Sequence, residues 1–158
     1  MRLIYSVTFA LAASVALASD QPGHTFQFGP FVVRELVGGD FAPGYGCVAR
    51  YPASRKQAGA PVARWGDEPR VLIRVEGSLR SFDADEPFSG WPNRVGGSSD
   101  TTYQNLDLQA ELALVSTSVG SPSSDSCRSA TFRGTLSLWS EARHVTKRVW
   151  AECTCAAI

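Results

Sequence analysis

The stretch NLDLQAELAL, residues 105–114, decides the fold class because its apolar and polar residues alternate. Apolar side chains fill every second position from Leu106 to Leu114, and mostly polar side chains, including Asp107 and Glu111, lie between them. A period of two places the two sets on opposite faces of a β-strand. We therefore predict a strand here with one buried face and one solvated face.

Alternation of the same kind recurs at residues 71–75, residues 132–138 and residues 145–154. Weaker patterns lie at 45–51 and at 25–36, where Pro30 should interrupt the strand or confine it to an edge. No segment has the apolar spacing and caps of an amphipathic helix. The sequence thus predicts an all-β domain, a single antiparallel β-sandwich or small barrel of about six to eight strands with long loops.

The last two predicted strands suggest a specific register. If residues 132–139 and 144–154 form a hairpin, pairing Leu138 with Val145 keeps the apolar faces of both strands on the same side. We predict this register.

Three segments lack a strand pattern: residues 53–69, residues 81–104 and the serine-rich residues 116–126. Structureless loops longer than about 12 to 15 residues are uncommon unless they are functional. Two interpretations of the two longest segments stay open, a functional loop or an undetected strand.

The first residues have the form of a secretory signal peptide. A positive charge at Arg2 precedes an apolar run at residues 3–17, and Ala16-Leu17-Ala18 matches the small residues at a cleavage site. We expect a signal peptide at 1–18 and a single β-rich domain at 19–158. The run is too short and too interrupted for a spanning helix, so we expect an extracellular or periplasmic protein without a membrane anchor.

An exported protein meets an oxidising compartment, where an even number of cysteines indicates disulfides. The chain has four: Cys47, Cys127, Cys153 and Cys155. The predicted register places Cys155 opposite Arg128, beside Cys127, which favours the bridges Cys127–Cys155 and Cys47–Cys153. The close alternative is Cys47–Cys155 with Cys127–Cys153.

Charge argues against a polyanionic partner. The 15 basic and 15 acidic residues cancel, and the arginines are scattered among acids. Nucleic acid and anionic lipid are bound through strong positive fields, which this balance excludes.

No catalytic motif is recognisable, and we predict no catalytic residue, metal site or cofactor. The only two histidines are His24 and His144, and neither lies in a nucleophile, zinc or phosphate motif. Glu141 near His144 is more typical of a turn than of a catalytic dyad. The acidic residues 83–86 lack the ligand spacing of a calcium loop.

The segment with the best potential for recognition is residues 88–93, where Trp91 lies between glycine and proline in a long loop. A surface tryptophan there could stack on a sugar or anchor a protein, together with Phe88 and with Trp65 from the other long segment. The competing interpretation, which we favour, is that these aromatic side chains fold back and plug one end of the domain.

We therefore predict a secreted, non-catalytic protein that binds a macromolecular partner, a protein or a glycan, through its loops. The first alternative is a small secreted hydrolase with dispersed catalytic residues. The second is a structural component of an envelope or matrix. The sequence does not predict the oligomeric state.

Overall fold

The computed structural model describes residues 23–40, 46–53, 59–66, 68–86, 92, 94–120 and 129–154. This part of the chain forms ten β-strands and one short 3-10 helix at Gly38–Asp40. The strands are β1 (Thr25–Phe28), β2 (Phe31–Arg34), β3 (Gly46–Tyr51), β4 (Ala60–Trp65), β5 (Arg70–Val75), β6 (Ser78–Ala84), β7 (Ser98–Asn105), β8 (Leu108–Val119), β9 (Ala130–Ser140) and β10 (Arg143–Thr154).

Strands β3 to β10 close into an antiparallel barrel. Each strand from β3 onward pairs with the next one in the chain, and β10 returns to pair with β3. Closure removes the unpaired sheet edges that an open sheet would expose. The predicted all-β class is confirmed, and of the two predicted architectures the barrel is the one observed.

The alternation that predicted the strands also fills the barrel. Every second side chain points inward, and an eight-stranded barrel is just narrow enough for such side chains to occupy its interior. The buried apolar residues that alternate along the eight strands are Cys47, Ala49, Ala63, Trp65, Val71, Ile73, Val75, Phe82, Tyr103, Leu108, Ala110, Leu112, Leu114, Ala130, Phe132, Leu136, Leu138, Val149, Ala151 and Cys153.

The two ends of the barrel differ. Two-residue turns join β5 to β6, β7 to β8 and β9 to β10 at one end, which we call the turn end. At the opposite end, which we call the loop end, β4, β6 and β8 finish and longer connections begin.

The β1–β2 hairpin covers the turn end. β5 shares one of its edges between two partners: β4 pairs with residues 71–73, whereas β2 pairs with Arg74 and Val75. Phe28 and Phe31, at the hairpin turn, are fully buried. The Phe28 ring lies 4.8 Å from that of Tyr51, measured between centroids. The hairpin therefore continues the sheet along the edge of β5 beyond the end of β4, and its aromatic side chains are buried at the turn end.

A buried carboxylate attaches the segment after β2 to the barrel wall. Arg74 on β5 donates to both carboxylate oxygens of Asp40, at 2.8 and 3.1 Å. Arg64 on β4 donates to the Asp40 carbonyl at 2.9 Å. Because Asp40 is only 8% exposed, these charge-assisted bonds replace the water that the carboxylate loses.

Several strand predictions are confirmed. Val145 pairs with Leu138 and the whole β9–β10 ladder follows the predicted register. Residues 25–36 form two strands separated at Gly29 and Pro30, with β1 on the sheet edge. The pattern at 45–51 is β3.

The structure decides the open question about the two long segments in favour of undetected strands. The segment 53–69 contains β4, and the segment 81–104 contains most of β6 and β7. These strands lack clear alternation because some inward positions carry polar residues, such as Ser78 and Arg80 on β6. Leu106, expected on the buried face of one strand, instead lies in the β7–β8 turn and is fully exposed.

One disulfide is present among the described residues, and it joins Cys47 to Cys153. This is the pairing that the register favoured, and the alternative Cys127–Cys153 is therefore wrong. Cys127 and Cys155 lie outside the described residues, as do the expected signal peptide and residues 19–22. Within the described part of the chain, no helix has the length and apolar character needed to cross a bilayer.

Candidate functional site

A surface cleft of about 530 Å³ lies on the outer wall of the barrel beside the turn end. It is lined by Glu111, Trp139 and residues 140–144. We call it the β9–β10 cleft, because all of its lining except Glu111 comes from the end of β9, the turn and the start of β10. Its volume is within the range of roughly 300 to 1,000 Å³ typical of small-ligand sites.

Strand register places the cleft residues together. Trp139 on β9 lies opposite both Gln109 on β8 and His144 on β10. The indole N–H of Trp139 donates to the Gln109 side-chain oxygen. The His144 ring meets the indole edge to face, with 6.1 Å between centroids and 83° between planes. Trp139 is thereby fixed on both sides, a rigid half-buried aromatic group on the outer wall.

A short hydroxyl network extends from His144 along the wall. Its Nε2 atom lies 3.4 Å from the Thr146 Oγ1 atom, which is 3.0 Å from Ser137 Oγ. Glu111 lies opposite Ser137 in the β8–β9 ladder. Hydrogen bonds among Ser137, Thr146 and His144 therefore join β9 to β10 beside the cleft.

Glu111 is the electrostatically unusual group of the cleft. Partial burial raises the pKa of its carboxyl, the nearby Asp100 carboxylate raises that pKa further, and His144 acts in the opposite direction. Among the described residues no salt bridge neutralises Glu111 or Asp100. Glu111 thus offers a partly desolvated acceptor without a cationic partner.

Arg143 links the cleft to the covered mouth of the barrel. Its guanidinium carbon lies 4.8 Å from the centre of the Phe31 ring, a distance at which the cation and the aromatic face attract each other. Phe31 belongs to the β1–β2 hairpin that covers the turn end. One edge of the cleft therefore depends on the position of that hairpin.

The described residues of the cleft do not form a nucleophile–base pair. Covalent catalysis requires a nucleophile within hydrogen-bond reach of a base that a third group orients. In the described residues, the ring nitrogens of His144 contact Thr146 and neither Glu141 nor Glu111. The same part of the chain contains no group of three or more His, Cys, Asp or Glu side chains arranged to hold a metal ion.

Of the three binding residues predicted from the sequence, the structure describes Trp65 alone. Trp65 is on β4 rather than in a loop, and it is 3% exposed within the core. Phe88 and Trp91 lie outside the described residues. The cysteines at 47 and 153 form the bridge described above.

Sequence reasoning missed Trp139, Glu111 and the participation of His144. The signal was present in the predicted register, since pairing Leu138 with Val145 also pairs Trp139 with His144. An aromatic residue and a histidine opposite each other on an outward face mark a possible site. Nothing in the sequence, however, predicted that β8 would add Glu111 from the other side.

Comparisons of the chain with protein-family models, with curated proteins and with solved structures gave no match.

Proposed function

We propose that the protein is an exported, non-catalytic binding protein that contacts a macromolecular partner, a protein or a glycan, through the β9–β10 cleft. The observation that carries the proposal is Trp139, held by Gln109 and His144, in a cleft beside Glu111, which has no salt bridge among the described residues. Amphipathic aromatic side chains held in place supply contact area at a low cost in conformational entropy.

The filled interior supports a surface site rather than a site inside the barrel. Side chains of the described strands occupy the interior, and Phe28 and Phe31 cover its turn end. A ligand that bound inside would have to displace these buried groups, whereas the cleft is already open to solvent.

Export is supported by the cysteine chemistry. Cys47 and Cys153 form a buried bridge, and stable bridges are typical of proteins in oxidising compartments. This agrees with the signal peptide expected at residues 1–18 and with an extracellular or periplasmic location.

The loop segment with Phe88 and Trp91 is a second location for the same function. It joins β6 to β7, which finish and begin at the loop end, away from the β9–β10 turn. The two locations are therefore separable by substitution.

The test is partner capture on immobilised mature protein with its bridges intact, using secreted proteins and glycans identified by mass spectrometry. Trp139→Ala should weaken stoichiometric capture by about 2 kcal/mol or more, as for a recognition anchor. Trp91→Ala tests the loop segment, and Trp150→Ala, on the wall of β10 outside the cleft, is the matched control. If all three variants still capture the partner, neither the β9–β10 cleft nor the loop segment is the binding site.

A second candidate function, a small hydrolase, is favoured by one observation. The raised pKa of Glu111 in a cleft is what a general acid requires. The hydrolase would replace the binding proposal if the wild type turns over a glycan or peptide substrate many times and the folded Glu111→Gln variant does not.

A further inference from the structure

We infer that the β9–β10 cleft binds a neutral oligosaccharide, stacked on Trp139 and hydrogen-bonded by the charged groups around it. This inference rests on the proposed function and names the partner of the same site.

The lining argues first against an apolar ligand. Sites for drug-like or lipid ligands are predominantly lined by hydrophobic side chains. Here Trp139 and Ala142 are the apolar side chains, and the other lining residues are serine, glutamate, arginine and histidine. One aromatic surface among several polar groups matches a ligand with a flat C–H face and many hydroxyls, which is the chemistry of a sugar ring.

The charges argue next against a strongly charged ligand. The cleft contains two carboxylates, from Glu111 and Glu141, and one guanidinium, from Arg143. Asp100, close enough to raise the pKa of Glu111, adds a further negative charge nearby. Because the charges are mixed and Arg143 already lies against Phe31, neither a polyanion nor a polycation finds a field of one sign.

The hydrogen-bonding capacity of the cleft matches hydroxyl groups. An ionised carboxylate only accepts hydrogen bonds, whereas a sugar hydroxyl both donates and accepts. Glu111 has no cation within salt-bridge distance in the described structure, so its carboxylate can accept from a ligand hydroxyl. A hydroxyl donor would favour the ionised form of Glu111 and offset part of its desolvation.

The surroundings argue against a protein partner for this cleft. Protein interfaces place an apolar core, rich in aromatic residues and poor in charge, inside a polar rim. The large apolar side chains most exposed in the described residues are Leu79, Val95 and Leu106, and none of them lines the cleft. The cleft therefore resembles the polar rim of a protein interface more than its apolar core, which favours a glycan over a protein here.

The test is calorimetric or NMR titration of the disulfide-intact mature protein with a panel of linear oligosaccharides of three to six residues. The panel contains neutral oligomers of glucose, galactose, mannose, xylose and N-acetylglucosamine, with uronic acid oligomers as the anionic comparison. We expect at least one neutral oligomer to bind, with the NMR shifts centred on the Trp139 indole. Trp139→Ala should lower its affinity at least tenfold.

Trp139→Phe and Trp150→Ala are the matched variants. Phenylalanine keeps an aromatic face, so Trp139→Phe should retain most of the affinity, and Trp150→Ala should retain all of it. If Trp139→Ala fails to fold, Glu111→Ala gives the same reading, because it removes the acceptor and leaves the indole in place.

The inference is overturned if no neutral oligomer binds at millimolar concentration, or if binding survives both Trp139→Ala and Glu111→Ala. A folded protein that binds no oligosaccharide but captures a protein in a Trp139-dependent manner would refute only this inference and keep the proposed function. A folded protein that binds no oligosaccharide and captures no protein through Trp139 would refute both this inference and the proposed function.

Discussion

Cys47 on β3 and Cys153 on β10 lie directly opposite each other in the one strand pair that closes the barrel, with 4.0 Å between their Cα atoms. Their bridge spans 106 residues of sequence and is buried at both ends. A crosslink across about 100 residues removes loop entropy worth about 4.7 kcal/mol from the unfolded chain. Replacing both residues, in Cys47→Ala with Cys153→Ala, should therefore lower the free energy of unfolding by several kcal/mol.

Denaturant unfolding of the wild type and of the Cys47/Cys153 double variant, both under oxidising conditions, measures that difference. The control is Cys127→Ala with Cys155→Ala, which tests the second bridge predicted from the sequence. Native protein should contain no free thiol by alkylation, and two reactive thiols would contradict the second bridge. If the denaturant midpoint of the Cys47/Cys153 variant equals that of the wild type, the Cys47–Cys153 bridge does not stabilise the fold as expected.

Gly134 on β9 leaves no room for a side chain against the backbone of β8. A Cβ atom there would overlap the carbonyl oxygen of Ala113 on β8 and lie 2.9 Å from the Leu114 Cα atom. These obstacles are backbone atoms and cannot rotate away, so Gly134→Ala should destabilise the fold by about 3 kcal/mol or more. Gly38→Ala is the control, since a Cβ there meets nothing within 4 Å. Equal thermal midpoints for the two variants would refute this expectation.

Leu106 is strained and exposed at once. Its φ of +46° is in the left-handed region that favours glycine or asparagine, and its side chain is 103% exposed. Leu106→Asn should therefore stabilise the protein by about 1 kcal/mol, because no buried contact is lost. Leu79→Asn, on strand β6 and 40% exposed, should give no such gain. Thermal unfolding compares the two, and a loss of stability in Leu106→Asn would show that the leucine makes a contact that matters.

Glu111 should destabilise the fold at neutral pH. Burial and the Asp100 carboxylate raise the pKa of Glu111 above its ordinary value of 4.5, so the folded state binds its proton more tightly than the unfolded state does. Its contribution to stability is greatest below pH 4.5 and is lost as the pH rises through the raised pKa. Glu111→Gln should therefore unfold at a higher denaturant concentration than wild type at pH 7, and this gain should disappear in acid.

Glu35 should show the opposite dependence. The backbone N–H of His24 donates to its carboxylate at 2.9 Å and lowers the pKa of Glu35, and the His24 ring nitrogen lies 2.7 Å from the same oxygen. The stabilisation is complete above pH 4.5 and is lost as the pH falls through the lowered pKa. Glu35→Gln should be less stable than wild type at neutral pH and equal to it in strong acid. Parallel pH curves for the Glu35 and Glu111 variants would contradict both assignments.

Alternation predicted the strands whose inward residues are mostly apolar, although Ser116 on β8 and Lys147 on β10 also occupy inward positions. The β9–β10 register followed from residues 132–138 and 145–154, because a shift by one residue would have exposed every apolar side chain. β6 escaped detection since Ser78 and Arg80 occupy inward positions near the turn end. Arg80 is satisfied there by Asp107, 3.0 Å away in the β7–β8 turn, and that long-range pair has no local sequence signal.

The candidate site was less accessible to sequence reasoning than the fold. Trp139 and His144 could have been matched from the predicted hairpin alone, but Glu111 joins them through the β8–β9 pairing across a long connection. The aromatic plug expected from Phe88 and Trp91 lies outside the described residues and stays a prediction. The turn end is covered instead by Phe28 and Phe31, which the sequence did not indicate, and Trp65 packs within the core.

The β1–β2 hairpin connects the first strands of the described chain to the last one. Phe28 and Phe31 are among the earliest residues of the barrel domain to leave the ribosome, yet they pack beside Lys147 and Arg143 on the last strand. Consecutive strand pairs can form as the chain grows, but the mouth that receives the hairpin is complete only when β10 is in place. The contacts of Phe28 and Phe31 with Lys147 and Arg143 therefore require the last strand, so the burial of these two phenylalanines cannot be complete before β10 has been made.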